Sequence, residues 1–324
     1  MCVLSPEPGR LSTAVPVGLQ SFVLSMWTLR ELIKAGGRWT AIHANQPHPQ
    51  SVAALLASRI RNASFVVTYH SAIPLARTPL SEWAQRACNW VLLHFADHVV
   101  FVSTALRDEL GRPNDPVIPV GVALAAVPRP VSHPAPRGGG RFTFAFVGRQ
   151  TESKGYFDLM QVAKQLALRP SAPPFRIVVV GEAPAEEQAA RDRWHAELRG
   201  IVEDLGVVLG RRKVMEILST ADVLVLPSYR EGLPLVLIEA MAVGCVPVAS
   251  AVGGIPDALH HGSLGVLVAA GDQVALSQAM DWALHHAPEI ERMSREGRES
   301  ILKDFAFDKT LDCYSRLYEQ VSRR

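Results

Sequence analysis

Two carboxylates with seven residues between them, Glu231 and Glu239, lie in the segment 228–257, SYREGLPLVLIEAMAVGCVPVASAVGGIPD. Glu239 sits inside an apolar helical run, LVLIEAMAV, where an unpaired charge is costly to bury, so it needs a partner. A carboxylate that accepts two hydrogen bonds suits a pair of neighbouring sugar or ribose hydroxyls. Glu231 precedes the helix, in the loop after an apolar strand. Pro234 is read as the first helical position, where its missing donor costs nothing. The turn Gly232-Leu233-Pro234 leads into that helix start, whose backbone donors and dipole can receive a phosphate oxygen. Either Glu taken alone is more simply a helix-start or surface charge.

A second segment supplies the opposite charge. Residues 147–155, VGRQTESKG, follow another apolar strand and carry Arg149 and Lys154 between Gly148 and Gly155. The glycines let backbone approach a ligand, arginine grips phosphate with two parallel bonds, and lysine adds a mobile point charge. The plain alternative is a strand–helix turn with solvated charges. Neither G-x-x-x-x-G-K-[ST] nor G-x-G-x-x-G occurs, which argues against an NTPase or an ordinary dehydrogenase.

Positioning these groups requires strands that end where the loops begin. After residue 140, short β-branched runs alternate with longer amphipathic ones. Strands are expected at 142–147, 176–180, 207–209, 222–226, 246–249 and 265–268. Helices are expected at 156–168, 186–205, 211–220, 234–243, 254–260, 274–285, 289–304 and 309–322, with Asp308 as the N-cap of the last. The front half repeats the rhythm, with helices at 20–35, 50–59, 80–95 and 104–110 and strands at 40–44, 65–69, 98–102 and near 117. Apolar strands flanked by helices imply a doubly wound parallel sheet in an α/β fold.

The chain has 324 residues, enough for two such domains, with 48% hydrophobic and 20% charged side chains. The stretch 127–140, VPRPVSHPAPRGGG, reads as a linker. The expected division is an N-terminal acceptor-side domain at 1–130 and a linker at 131–140. A donor domain at 141–307 and a C-terminal helix at 308–324, packed back on the first domain, complete it. Formal charge is +2, with no basic patch for nucleic acid. Residues 1–130 carry a net +4 and the rest −2; the front half is where peripheral contact with the inner face of a membrane would fall, and scattered Arg on solvated faces is the simpler account. Cys2, Cys88, Cys245 and Cys313 are widely spaced, and the first residues lack a charged leader and apolar stretch. Both features fit a cytoplasmic protein.

Together these segments resemble the retaining GT-B glycosyltransferases of family 4, relatives of the glycogen-synthase-like E-x7-E enzymes. The resemblance rests on G-R-x-x-x-x-K-G at 148–155, Ala221-Asp222 before Pro227-Ser228, the E-G-x-P-x-x-x-x-E-A-M-A-x-G-x-x-P-V block at 231–248, and Gly253-Gly254-Ile255-Pro256. The front half matches through IHAN at 42–45, VTYHS at 67–71, FVS at 101–103 and IPVGV at 118–122. The resemblance implies two Rossmann-like domains facing a cleft and transfer of a sugar from a UDP- or GDP-linked donor. The acceptor would be a carbohydrate or a lipid-linked hydroxyl, in polysaccharide or glycolipid biosynthesis.

It further implies that Glu239 binds ribose, Glu231 sits at the donor sugar, His70 contacts the transferred sugar, and Arg149 and Lys154 neutralise the diphosphate. No cofactor and no metal are implied. Gly253 and Gly254 would bring backbone to the donor or acceptor, with a plain turn nearly as good an account. His43, His48, His94, His98, His195, His260 and His261 receive no role.

The family's opening strand and Gly-Gly loop have no counterpart here. The first residues, CVLSPEPG, are similar to its second strand and the loop after it, and the expected N-terminal domain therefore lacks that first strand. Val120 stands where the family often has Asn, and Val180-Gly181-Glu182 replaces a common G-x-G. Alternative readings of the same segments are a truncated sugar-nucleotide-binding protein without turnover, a GT-B epimerase and a pyridoxal-phosphate phosphorylase.

Overall fold

The structure, a computed structural model, describes residues 17–35, 37, 39–71, 79–123, 127 and 140–322. The strand and loop expected at 2–9 lie outside the described residues, as does the 131–140 linker apart from Gly140. The chain forms two compact units, residues 1–118 with 312–324 and residues 119–311, so the division falls at Ile118/Pro119. No helix among the described residues is long and apolar enough to cross a membrane.

The second unit is built on six parallel strands: β4 (Phe142–Val147), β5 (Phe175–Val180), β6 (Val202–Asp204), β7 (Val223–Leu226), β8 (Val246–Ser250) and β9 (Val266–Val268). Their spatial order is β6-β5-β4-β7-β8-β9. The strand that comes first in sequence, β4, therefore lies centrally, and the winding reverses between β4 and β7. Such a switch point, outside the carboxyl ends of the strands, is where ligands of doubly wound sheets bind. Residues of both parities in FTFAFV and VLVL are buried, as a sheet covered on both faces demands. Phe144, Phe146, Ile177, Val179, Val223 and Val225 pack against Leu159, Met160 and Leu166 of α5 (Tyr156–Ala167) and Met280 of α10 (Gln273–His285).

The edge strand corrects the sequence reading. The helix expected at 186–205 ends as α6 (Gln188–Glu197), Gly200 turns the chain at φ +85°, and the strand forms at 202–204 rather than 207–209. Val207 and Leu209 are exposed beyond the turn at Gly206, φ +62°. Hydrophobic type alone misplaced this strand, because an edge strand with one neighbour buries little.

In the first unit, β1 (Ala41–Asn45), β2 (Ser64–Tyr69) and β3 (His98–Phe101) pair in parallel in that order. The helices α1 (Val17–Lys34), α2 (Pro49–Ile60), α3 (Pro79–Phe95) and α4 (Thr104–Glu109) accompany them. The last helix, α12 (Phe307–Ser322), lays Leu317 and Val321 against Val66, Val100 and Ile118. His43 Nδ1 lies 2.5 Å from Tyr318 Oη and its Nε2 2.8 Å from Thr68 Oγ1, while Thr68 Oγ1 also meets Tyr314 Oη at 3.0 Å. His43 thus fastens the helix to the sheet. Asp308 falls inside the first turn of α12 instead of capping it, because the helix begins at Phe307.

Candidate functional site

Because β4 and β7 are neighbours, the loops at their carboxyl ends meet. Gly155, at φ +65°, has no room for a side chain: a Cβ there would come within 2.0 Å of the Pro227 carbonyl oxygen. Tyr229 N donates to Ser153 O at 3.1 Å, closing the same seam. With the loops stitched together, Lys154 Nζ donates to Glu231 Oε1 at 2.6 Å. The two side chains are 27% and 10% exposed, a cation and an anion largely withdrawn from water at the switch point. Arg149 belongs to the same loop. Its side chain is exposed and makes no ion pair among the described residues.

The loop after β8 closes onto the same place. A Cβ on Gly253, φ +55°, would lie 2.1 Å from Glu231 O, and Gly254 N donates to Gly232 O. These glycines bring backbone to backbone, as a plain turn requires. Gly181 does likewise for the β5 loop, where a Cβ would meet Gly148 O at 1.9 Å.

Helix α8 (Leu235–Ala242) follows the Glu231 loop. Pro234, expected at the first helical position, is the N-cap instead, with ψ 125° still extended. Its ring carries no hydrogen-bonding group, so the N-cap residue itself does not cap the helix. Orphan donors of a first turn are the groups that receive an anion. Gly232 and Leu233 are buried and form the tight approach to this turn. At the other end, Ser294 of α11 (Ala287–Asp304) donates to Gly244 O at 2.6 Å and Arg298 donates to Ala242 O, which holds the helix in place.

Glu239 is 7% exposed in this helix, as the apolar run required. Its partner is Arg211, the first residue of α7 (Arg211–Ser219), whose Nε stands 2.7 Å from Glu239 Oε1. Burial raises the carboxyl pKa and the guanidinium opposes that rise. Sequence reasoning missed Arg211, although the charge run Arg211-Arg212-Lys213 at an expected helix start was a visible signal.

It also missed the support beneath the cationic loop. Gln150, fully buried, donates through Nε2 to Gly181 O at 3.0 Å and to Asp204 Oδ2 at 3.2 Å. Asp204 accepts in addition from Arg191 Nη1 at 3.0 Å and Gly206 N at 2.9 Å. His195 Nε2 pairs with Tyr156 Oη at 2.6 Å nearby. His70, in the first unit, follows β2 and is half-buried, which lowers its pKa.

The structure thus joins Lys154 to Glu231, places Gly232, Leu233 and Pro234 at an uncapped helix start, pairs Glu239 with Arg211 and leaves Arg149 facing solvent. Comparisons with known proteins agree with this architecture. The family model described as Glycosyl transferases group 1 matches residues 133–300, and that described as Glycosyltransferase Family 4 matches residues 5–126. The chain is 30% identical to alpha-maltose-1-phosphate synthase of Mycolicibacterium smegmatis, covering 87% of this chain and 79% of that protein. Among solved structures, sucrose-phosphate synthase from Thermosynechococcus elongatus superposes with a TM-score of 0.79 at 24% identity, over 95% of this chain and 80% of that one. Anabaena Alr3699/HepE in complex with UDP gives 0.75 at 18% identity, over 94% and 84%.

Proposed function

The chain belongs to the group 1 glycosyl transferases, and on that footing we propose that it moves a sugar, with retained configuration and without a metal ion, from a nucleoside diphosphate donor to a hydroxyl. The diphosphate lies at the β4/β7 switch point, against the uncapped first turn of α8, Lys154 and Arg149. The single observation that carries this reading is the closed Lys154–Glu231 contact of 2.6 Å beside that turn. A cation and a carboxylate held together in partial burial are poised to part, Lys154 toward phosphate and Glu231 toward the sugar. As the glycosidic bond breaks, charge grows on the leaving phosphate, and fixed cations and amide dipoles stabilise it most at that moment.

UDP is the nucleotide to try first, since the solved Anabaena relative carries it, with GDP second. Glu239 accepts the ribose hydroxyls and His70 acts on the transferred sugar. The acceptor is a carbohydrate or a lipid-linked hydroxyl. Trp83, Trp90 and Phe95 of α3, between 53% and 70% exposed, support contact with a membrane face, read by co-sedimentation with anionic liposomes.

The test is transfer from radiolabelled UDP- and GDP-sugars to a panel of hydroxyl acceptors, with and without EDTA, beside Glu231→Ala. The wild type should transfer equally in EDTA, and Glu231→Ala should keep nucleotide binding and lose transfer. Equal transfer by the wild type and Glu231→Ala sinks the assignment. An activity abolished by EDTA sinks the metal-free part.

A further inference from the structure

We propose that Arg211 is a positioning residue for the nucleotide: reaching from α7 to α8, it keeps Glu239 ionised and occupies one carboxylate oxygen, leaving the other for the ribose hydroxyls. This rests on the reading of Glu239 as the ribose acceptor. The helix around Glu239 is among the most apolar places in the chain, with Leu237, Ile238, Ala240 and Met241 each at most 1% exposed. A carboxylate there would take up a proton unless a cation stood against it, and a protonated acid is a poorer acceptor for two hydroxyls.

Arg211 is that cation. Its Nε contacts Oε1 at 2.7 Å, and Glu239 forms no other ion pair among the described residues. The charged groups nearby are otherwise engaged. Arg212 pairs with Glu216 at 3.0 Å, Lys154 with Glu231, and Arg298 of α11 donates to Ala242 O. The Arg211 side chain is 44% exposed, so it can shift as a nucleotide arrives. Gly210, at φ +96°, turns the chain into α7 just before it and fixes where that helix starts.

The role has a signature that packing alone lacks. Removing the charge should raise the Glu239 carboxyl pKa by about one unit, the lower end of what an adjacent opposite charge does. As pH is lowered, nucleotide affinity should then begin to fall at a higher pH than in the wild type, and on the acid side of that limb binding should be about tenfold weaker than in the wild type.

UDP, GDP and ADP binding is measured by calorimetry from pH 5 to 8.5 for the wild type, Arg211→Met, Arg211→Gln and Arg211→Lys. In parallel, the Glu239 carboxyl is titrated by 13C NMR without nucleotide, its resonance assigned by loss in Glu239→Gln. The expected result is an acid limb and a carboxyl titration both displaced upward in Arg211→Met and Arg211→Gln, and largely restored in Arg211→Lys. Should Arg211→Met not fold, Arg211→Gln carries the comparison. A neutral variant that matches the wild type in both measurements overturns the proposal while leaving the glycosyltransferase site intact. A wild type that takes up none of the three nucleotides overturns the ribose reading itself, and the purpose assigned to Arg211 falls with it.

Discussion

Lys154→Met, Glu231→Gln and the double variant form a cycle that separates what the Lys154–Glu231 contact does for the fold from what it does for transfer. An exposed ion pair contributes 0.2–1 kcal/mol roughly, whereas removing one member of a buried pair costs about 3–5 kcal/mol. At 27% and 10% exposure this pair lies between those limits. Lys154→Met leaves a carboxylate with little access to water and should cost about 2 kcal/mol. Glu231→Gln leaves the more exposed partner, which can turn to solvent, and should cost about 1 kcal/mol. The double variant has no charge to strand, so the singles should overstate its loss by about 1–2 kcal/mol. Urea unfolding reads these differences, and transfer of radiolabel from the UDP-sugar reads function. Transfer should fall by about a hundredfold or more in all three, since a group that stabilises developing charge is absent in each. A coupling near zero, or transfer that returns with stability in the double variant, would mean that the two side chains do not act together in transfer.

Three further outcomes follow from the geometry. Gly155→Ala should destabilise by about 3 kcal/mol or more, from left-handed strain plus a backbone clash with Pro227, while Gly206→Ala, with the same sign of φ but open space around it, should cost only about 1–2 kcal/mol; denaturation midpoints compare the two. Glu239→Gln should raise the melting temperature at neutral pH while weakening UDP binding. Burial raises the folded-state carboxyl pKa, so the native state binds more protons than the unfolded one, and that stability is lost as pH rises through the raised value. The opposite sign holds for His43, whose pKa burial and the nearby His70 lower to about 4. The unfolded state there binds more protons between about 6.5 and 4, so the fold loses stability as pH falls through that window, by up to about 3 kcal/mol. His43→Asn should flatten that slope in unfolding measured from pH 7 to 4.

The cationic loop and the Glu-bearing helix were legible in the sequence because each is local. Residues 148–155 and 231–239 each follow an apolar strand, and glycines mark where backbones touch. What was not legible depends on pairing across the sheet. That β4 lies beside β7, so that Lys154 meets Glu231, follows from strand order, which no local pattern encodes. Arg211 reaches Glu239 only because α7 lies against α8. Gln150 and Asp204 find each other through an edge strand that the hydrophobic pattern set at 207–209, since Val207 and Leu209 look like strand residues yet lie exposed past Gly206. Pro234 shows the reverse case: its residue type located the helix start to within one position, and only the extended ψ angle told cap from first turn.

A crystal structure of the chain with UDP bound would show where the diphosphate sits. The β-phosphate is expected within hydrogen-bond distance of the first-turn amides of α8 and of Lys154, with the ribose hydroxyls on Glu239 and the Lys154–Glu231 contact opened. A diphosphate seated elsewhere in the second unit, with that contact still closed, would contradict this placement.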